Sequence, residues 1–157
     1  MTLVFKKKIY LKIETKGIRD MKKLEELTLF NCGLNIIPNE LTTLKSLTYL
    51  NLLENSIVDF NNFKNMTQLQ SLSVELNPST KKLPNEFSYL KNLKTIDIGT
   101  IYTINSKLNY KSLYQLPNLT QLILFSPEYF SDDYSINENK GLKRLKKQCP
   151  NIKILLK

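Results

Sequence analysis

The sequence predicts an α/β repeat solenoid: a curved arc with one parallel β-sheet on its concave side and 3₁₀ or short helical turns on its convex side. Three observations carry that prediction. An apolar spacing L-x-x-L-x-L recurs from Leu24, Leu47, Leu69, Leu93 and, more loosely, Leu119, at steps of 23, 22, 24 and 26 residues. Within each copy the apolar positions alternate, as in Leu27/Leu29 and Leu50/Leu52. Each copy is also preceded by an apolar triplet at spacing three, such as Leu41, Leu44, Leu47 or Phe87, Leu90, Leu93. Alternation suits a strand with one buried face, and spacing three suits a tight helical turn. Units of this length cannot bury an apolar face alone, so neighbours must stack and share one core.

In chain order, residues 1–23 read as an N-terminal capping repeat, because Leu11–Ile18 aligns without a gap on Leu27–Leu34. That alignment predicts a strand through Leu11 and Ile13, while Ile18, Met21 and Leu24 also fit a first triplet. Full repeats follow at 24–46, 47–68, 69–92 and 93–118, with further triplets at Phe63, Met66, Leu69 and at Leu113, Leu116, Leu119. Pro38-Asn39-Glu40-Leu41 and Pro84-Asn85-Glu86-Phe87 place a proline at the opening of the convex turn; repeats two and four lack it. Residues 119–157 form an irregular last repeat and C-terminal cap. The step from Leu119 to Ile152 is 33 residues, so this unit carries an insertion, including the aromatic stretch Phe125–Tyr134, that either binds a partner or covers the core. Lys140–Lys147 predicts a capping helix with Leu142 and Leu145 on one face, and Cys149-Pro150-Asn151-Ile152 leads into a last strand.

The apolar pattern continues as x-x-N/C-x-L, with Cys32 and Leu34 in the first copy, Asn55 and Ile57 in the second, and Asn77 in the third. On these residues the chain resembles the leucine-rich-repeat family, and its proline-marked units are similar to the short repeats common in bacteria and plants. The resemblance implies that Asn55 and Asn77 satisfy backbone groups of adjacent loops, and that Cys32 and Cys149 are buried rather than nucleophilic. It also implies a non-enzymatic module for protein–protein interaction, as in stand-alone repeat proteins that act as effectors, host-interaction factors or inhibitors.

Composition fits one domain: 157 residues, 41% apolar and 24% charged, with no apolar run approaching the ~18 residues a membrane span needs. Leu3-Val4-Phe5 precedes Lys6-Lys7-Lys8, the reverse of signal-peptide order, which predicts a cytoplasmic protein, or a secreted one if a signal was removed before numbering. Two distant cysteines make no disulfide framework. The sequons at Asn65 and Asn118 read as chance matches in repeat turns. The absence of histidine excludes Ser-His-Asp and Cys-His mechanisms and His-containing metal sites. Gly17, Gly33, Gly99 and Gly141 form no nucleotide-binding fingerprint, and Asp132-Asp133 lacks the spacing of a calcium loop. No catalytic residue, metal or cofactor is expected.

The net charge of +9 raises nucleic acid or an anionic membrane as ligands. The strand register argues otherwise. It turns Tyr10, Lys12, Glu14, then Glu26, Thr28, Phe30, Asn31, then Tyr49, Asn51, Leu53, Glu54, then Ser71, Ser73, Glu75, then Thr95, Asp97, then Gln121, Ile123 and Phe125 to the concave side, which is therefore acidic and aromatic, with six carboxylates, counting Glu25 at its edge, against Lys12, Lys94 and Lys153. The expected site is Phe30, Tyr49, Leu53 and Phe125 as apolar anchors, with Glu26, Glu54, Glu75 and Asp97 selecting a protein partner with a basic surface. A second reading is an electrostatic binder of nucleic acid or anionic membrane through Lys6-Lys7-Lys8 and the Lys140–Lys147 run. A third is a structural or self-associating unit, with a monomer favoured.

Overall fold

Each L-x-L alternation lays down a short strand with two leucines inward, and each triplet turns the chain back beneath the next strand. The computed structural model describes residues 1–6, 15–77, 83–99, 110–124 and 140–157. Its strands are β1 (Thr2–Lys6), β2 (Glu26–Phe30), β3 (Tyr49–Asn51), β4 (Ser71–Ser73), β5 (Thr95–Gly99), β6 (Gln121–Leu124) and β7 (Lys153–Leu156). All pair in parallel in sequence order, in one open sheet. The register carries the repeat: Leu3, Leu27, Leu50, Leu72, Ile96, Leu122 and Ile154 face one another in a single apolar row.

The convex side is made of 3₁₀ turns at Thr15–Asp20, Asn39–Thr43, Asn61–Asn65 and Asn85–Tyr89, each of which brings a triplet inward. Leu41, Leu44, Leu47, Phe63, Met66, Leu69, Phe87, Leu90 and Leu93 are fully buried against the leucines of the sheet. Pro38 and Pro84 stand at the first cap of their turns, with φ of −57° in both, the value the pyrrolidine ring imposes. In the second repeat, which lacks the proline, Phe60 takes that position, and the Asp59 carboxylate fixes the turn by accepting the Asn61 N–H at 2.8 Å. Phe60 uses the freed space to pack with Phe63 and Phe87, at ring-centroid separations of 5.7 Å from each.

Polar ladders tie the stack where strand hydrogen bonds end. Asn55 Oδ1 accepts the N–H groups of Cys32 and Leu34, both at 3.0 Å, and its amide donates to the carbonyls of Leu29 and Leu52, both at 2.8 Å. Asn77 repeats this one unit on: it accepts from Ile57 N–H at 3.1 Å and donates to Leu52 and Val74 carbonyls at 3.0 Å. A second ladder runs along the opposite edge of the arc. There the side-chain amides of Gln68, Asn92 and Asn118 donate to the carbonyls of Leu44, Thr67 and Lys91 in the preceding unit. Asn118 thus has a structural task inside its sequon. Cys32 is buried as expected and its thiol donates to Phe30 O at 3.5 Å, whereas Cys149 is only half-buried against the core. Burial pushes both thiols up from their ordinary value, so both stay protonated near neutral pH.

The N-terminal strand differs from the prediction. The strand paired with β2 is Thr2–Lys6, with Leu3 opposite Leu27, and not the segment through Leu11 and Ile13. Ile18 is buried in the first convex turn rather than in the place of Leu34. The gapless alignment and the triplet Ile18, Met21, Leu24 could not both hold. A triplet must follow its strand by the length of one crossing, about 14 residues elsewhere in the chain, and Leu3 satisfies that while Leu11 does not. Tyr10, Lys12 and Glu14 lie outside the described residues.

Helix α1 (Lys140–Gln148) buries Leu142 and Leu145 over the end of the core and leads into β7. Among the described residues no helix is long and apolar enough to cross a membrane.

Candidate functional site

The outward side chains of the sheet fall into three rows. Thr2, Glu26, Tyr49, Ser71, Thr95, Gln121 and Lys153 form the first; Val4, Thr28, Asn51, Ser73, Asp97, Ile123 and Leu155 form the second. The third continues past the strand ends as Phe30, Leu53 and Glu75. Six of the eight expected site residues therefore stand in these rows; Glu54 follows Leu53 in the turn beyond the third row, and Phe125 lies outside the described residues.

They do not make one cluster. Phe30 and Leu53 are neighbours in the third row, both half-buried, whereas Tyr49 lies in the first, about 13 Å away along the strand direction. Asn51 separates them: its amide reaches the Tyr49 hydroxyl at 3.4 Å and its Oδ1 accepts the Leu53 N–H at 2.9 Å. Beyond the third row the chain leaves the sheet through left-handed residues, Asn31 (φ 51°), Glu54 (φ 56°) and Leu76 (φ 53°). These turns aim each following residue, Cys32, Asn55 or Asn77, into the core, at a cost of about 1–2 kcal/mol for a residue other than glycine or asparagine.

The carboxylates divide into two groups. Glu26 is exposed and accepts the Thr2 hydroxyl at 2.9 Å, and Glu54 accepts the Asn31 amide at 3.2 Å. Among the described residues neither lies within ion-pair distance of a cation. Glu75 and Asp97 are already engaged. Lys157 reaches across β6 and places its Nζ 2.5 Å from Glu75 Oε2 and 2.6 Å from Asp97 Oδ2. Sequence reasoning missed this lysine by stopping at Lys153; carrying the alternation on by two and four residues brings Leu155 and Lys157 to the same face. Gly99 makes the arrangement fit, since a Cβ there would lie 2.2 Å from Glu75 Cγ.

Burial alone would lower the Lys157 pKa, but hydrogen bonds and charge from Asp97 and Glu75 outweigh it and hold the group above the ordinary lysine value. The folded state thus binds this proton more tightly than the unfolded chain. The resulting stabilisation is fully present at neutral pH and is lost as pH rises through the raised value. Gly99→Ala is expected to cost about 1–3 kcal/mol in urea denaturation, from overpacking and from φ of +34°. The penalty should shrink in a Glu75→Ala background, and an undiminished penalty would show that Glu75 is not the clash.

A dense basic run lies off the sheet. Helix α1 exposes Lys140, Lys143, Arg144, Lys146 and Lys147 on the side opposite Leu142 and Leu145. Among the described residues no group of histidine, cysteine or carboxylate side chains is arranged to hold a metal ion.

One parallel sheet in repeat register, 3₁₀ turns behind it and asparagine ladders between units define a leucine-rich-repeat solenoid fold. Among solved structures, internalin C2 from Listeria monocytogenes superposes with a TM-score of 0.58 at 20% identity, over 94% of this chain and 57% of that one. A second internalin from the same organism gives 0.55 at 18% identity, over 88% and 42%. A Leptospira interrogans leucine-rich-repeat protein gives 0.53 at 29% identity, over 87% and 38%. The chain thus spans less than two thirds of each. No family model matches the sequence, and no curated protein matches it.

Proposed function

We propose that this chain is a protein-recognition module and that it binds its partner on the concave sheet. The observation that carries this reading is the third row, where Phe30 and Leu53 stand side by side on a rigid framework, with Glu54 next along the chain and Glu26 in the first row, neither carboxylate within ion-pair distance of a cation among the described residues. Half-exposed apolar side chains on fixed backbone bury area at low entropic cost, and surrounding carboxylates set encounter rate and discrimination. A partner with apolar side chains and a basic rim fits this face. The likeness to internalins supports the scaffold on which such a face is written.

The test is a Phe30→Ala/Tyr49→Ala variant. Partner affinity should fall about tenfold or more, while the melting temperature stays within about 2 °C of wild type, because neither side chain contributes to the buried core. Unchanged affinity removes both residues from the site.

A second reading rests on the exposed cations of α1, which form a basic surface that a polyanion could use. Its signature is a steep loss of affinity with salt, abolished by charge reversal at Lys143, Arg144, Lys146 and Lys147.

A further inference from the structure

The third row ends in an ion cluster with an unusual division of exposure. Glu75 and Asp97 are deeply seated, with side chains 12% and 15% exposed, whereas the Lys157 side chain that meets them is 42% exposed. The carboxylates belong to the sheet and the cation arrives from the solvent side. Glu75 lies in the space that Gly99 leaves open, and Asp97 Oδ1 accepts the Gly99 N–H at 3.0 Å, so both carboxylates are seated against the sheet's own backbone. The lysine follows β7, which pairs with β6 on one side and has no further strand beyond it among the described residues, with Leu155 and Leu156 exposed. A fixed pair of acceptors is therefore filled by a side chain on the sheet's last strand. Glu75 lies in line with Phe30 and Leu53, and Asp97 stands in the adjacent row, so a polypeptide laid along the third row would bring its own side chains to the position of this ammonium.

We propose that Lys157 is a built-in occupant of a cation seat formed by Glu75 and Asp97, and that a lysine or arginine side chain of the protein partner takes the seat by displacing it. This rests on the concave-face reading and names the chemistry of one contact within it. The exchange is ammonium for ammonium or guanidinium, with no covalent step. Both occupants meet the same two carboxylates, so the competition is decided by effective concentration: a tethered side chain is always nearby, and an incoming one must be held by the rest of the row. Lys157 thereby rejects weakly basic partners that lack apolar contacts, which is how a displaceable internal ligand yields specificity.

The experiment uses the whole chain and a fluorescent octalysine peptide as probe at low salt. Lys157→Gln should bind octalysine about two- to fivefold more tightly than wild type, the range expected for removing a partly exposed competing pair. In wild type, the Lys157 side-chain ammonium resonance should be distinct from those of the other lysines and should move toward them as octalysine is added. Glu75→Gln/Asp97→Asn should abolish both the difference and the movement, and Lys157→Met should reproduce Lys157→Gln, with unchanged circular dichroism as the check on folding. Equal octalysine affinity in wild type and Lys157→Gln, or a Lys157 resonance that octalysine leaves in place, overturns the seat. Neither result touches the concave-face reading, which fails separately if Phe30→Ala/Tyr49→Ala leaves partner affinity intact.

Discussion

Replacing Leu50 with alanine is expected to lower the stability of the whole chain by about 2–5 kcal/mol. Leu50 is fully buried at the centre of the apolar row, with Leu27 opposite on one side and Leu72 on the other. Removing its side chain forfeits transfer free energy and leaves a cavity that neighbours in two other repeats can only partly close. A domain of this size has a total stability of about 5–15 kcal/mol, so the loss is a large share of it. Since the stack is held by nearest-neighbour interfaces, a defect in a middle unit should also broaden the melt as the two ends lose cooperation. An unchanged melting curve would contradict the register that places Leu50 inside.

Asn77→Ala should have a comparable effect for a different reason. This side chain is completely buried and satisfies backbone groups on two repeats. Leu52 O retains Asn55 as a donor and Glu75 O retains the Glu54 N–H, so those carbonyls keep a partner. Among the described residues, Ile57 N–H and Val74 O lose theirs. Two buried groups without partners, at about 1–3 kcal/mol each, give an expected loss of about 2–4 kcal/mol in urea denaturation, with little change in m-value. Asn77→Cys should be milder, because Cys32 shows at the equivalent place that a thiol can donate to a strand carbonyl, although it leaves Ile57 N–H unmet. A loss below about 0.5 kcal/mol for Asn77→Ala would mean that water replaces the amide and that the ladder is not a stabilising element.

The repeat was legible because burial writes itself as periodicity. Leu27/Leu29, Leu50/Leu52 and the triplets had no other way to hide their apolar surface, and the left-over positions named the concave face. The N-terminal strand was harder to read because Leu11-x-Ile13 copies the strand pattern as well as Leu3-x-Phe5 does. The distance from strand to triplet, rather than local similarity, distinguishes them. Alternation carried on from Lys153 places Lys157 on the concave face, but its pairing with Glu75 and Asp97 was invisible. Its partners are 82 and 60 residues away, and a salt bridge across three strands leaves no period in the sequence. The anchors were named as a group, yet rows separate Tyr49 from Phe30 and Leu53, a geometry that depends on which residue of each strand meets which.

The central claim is that recognition belongs to the concave sheet and not to the basic helix. The most direct measurement compares three immobilised chains in nuclease-treated native lysate at physiological and raised salt: wild type, Phe30→Ala/Tyr49→Ala, and the Lys143→Glu/Arg144→Glu/Lys146→Glu/Lys147→Glu variant. The account predicts a protein retained by wild type and by the helix variant at both salt concentrations and lost from the concave-face variant. Retention by the concave-face variant, with loss from the helix variant and at raised salt, would contradict it and place binding on α1.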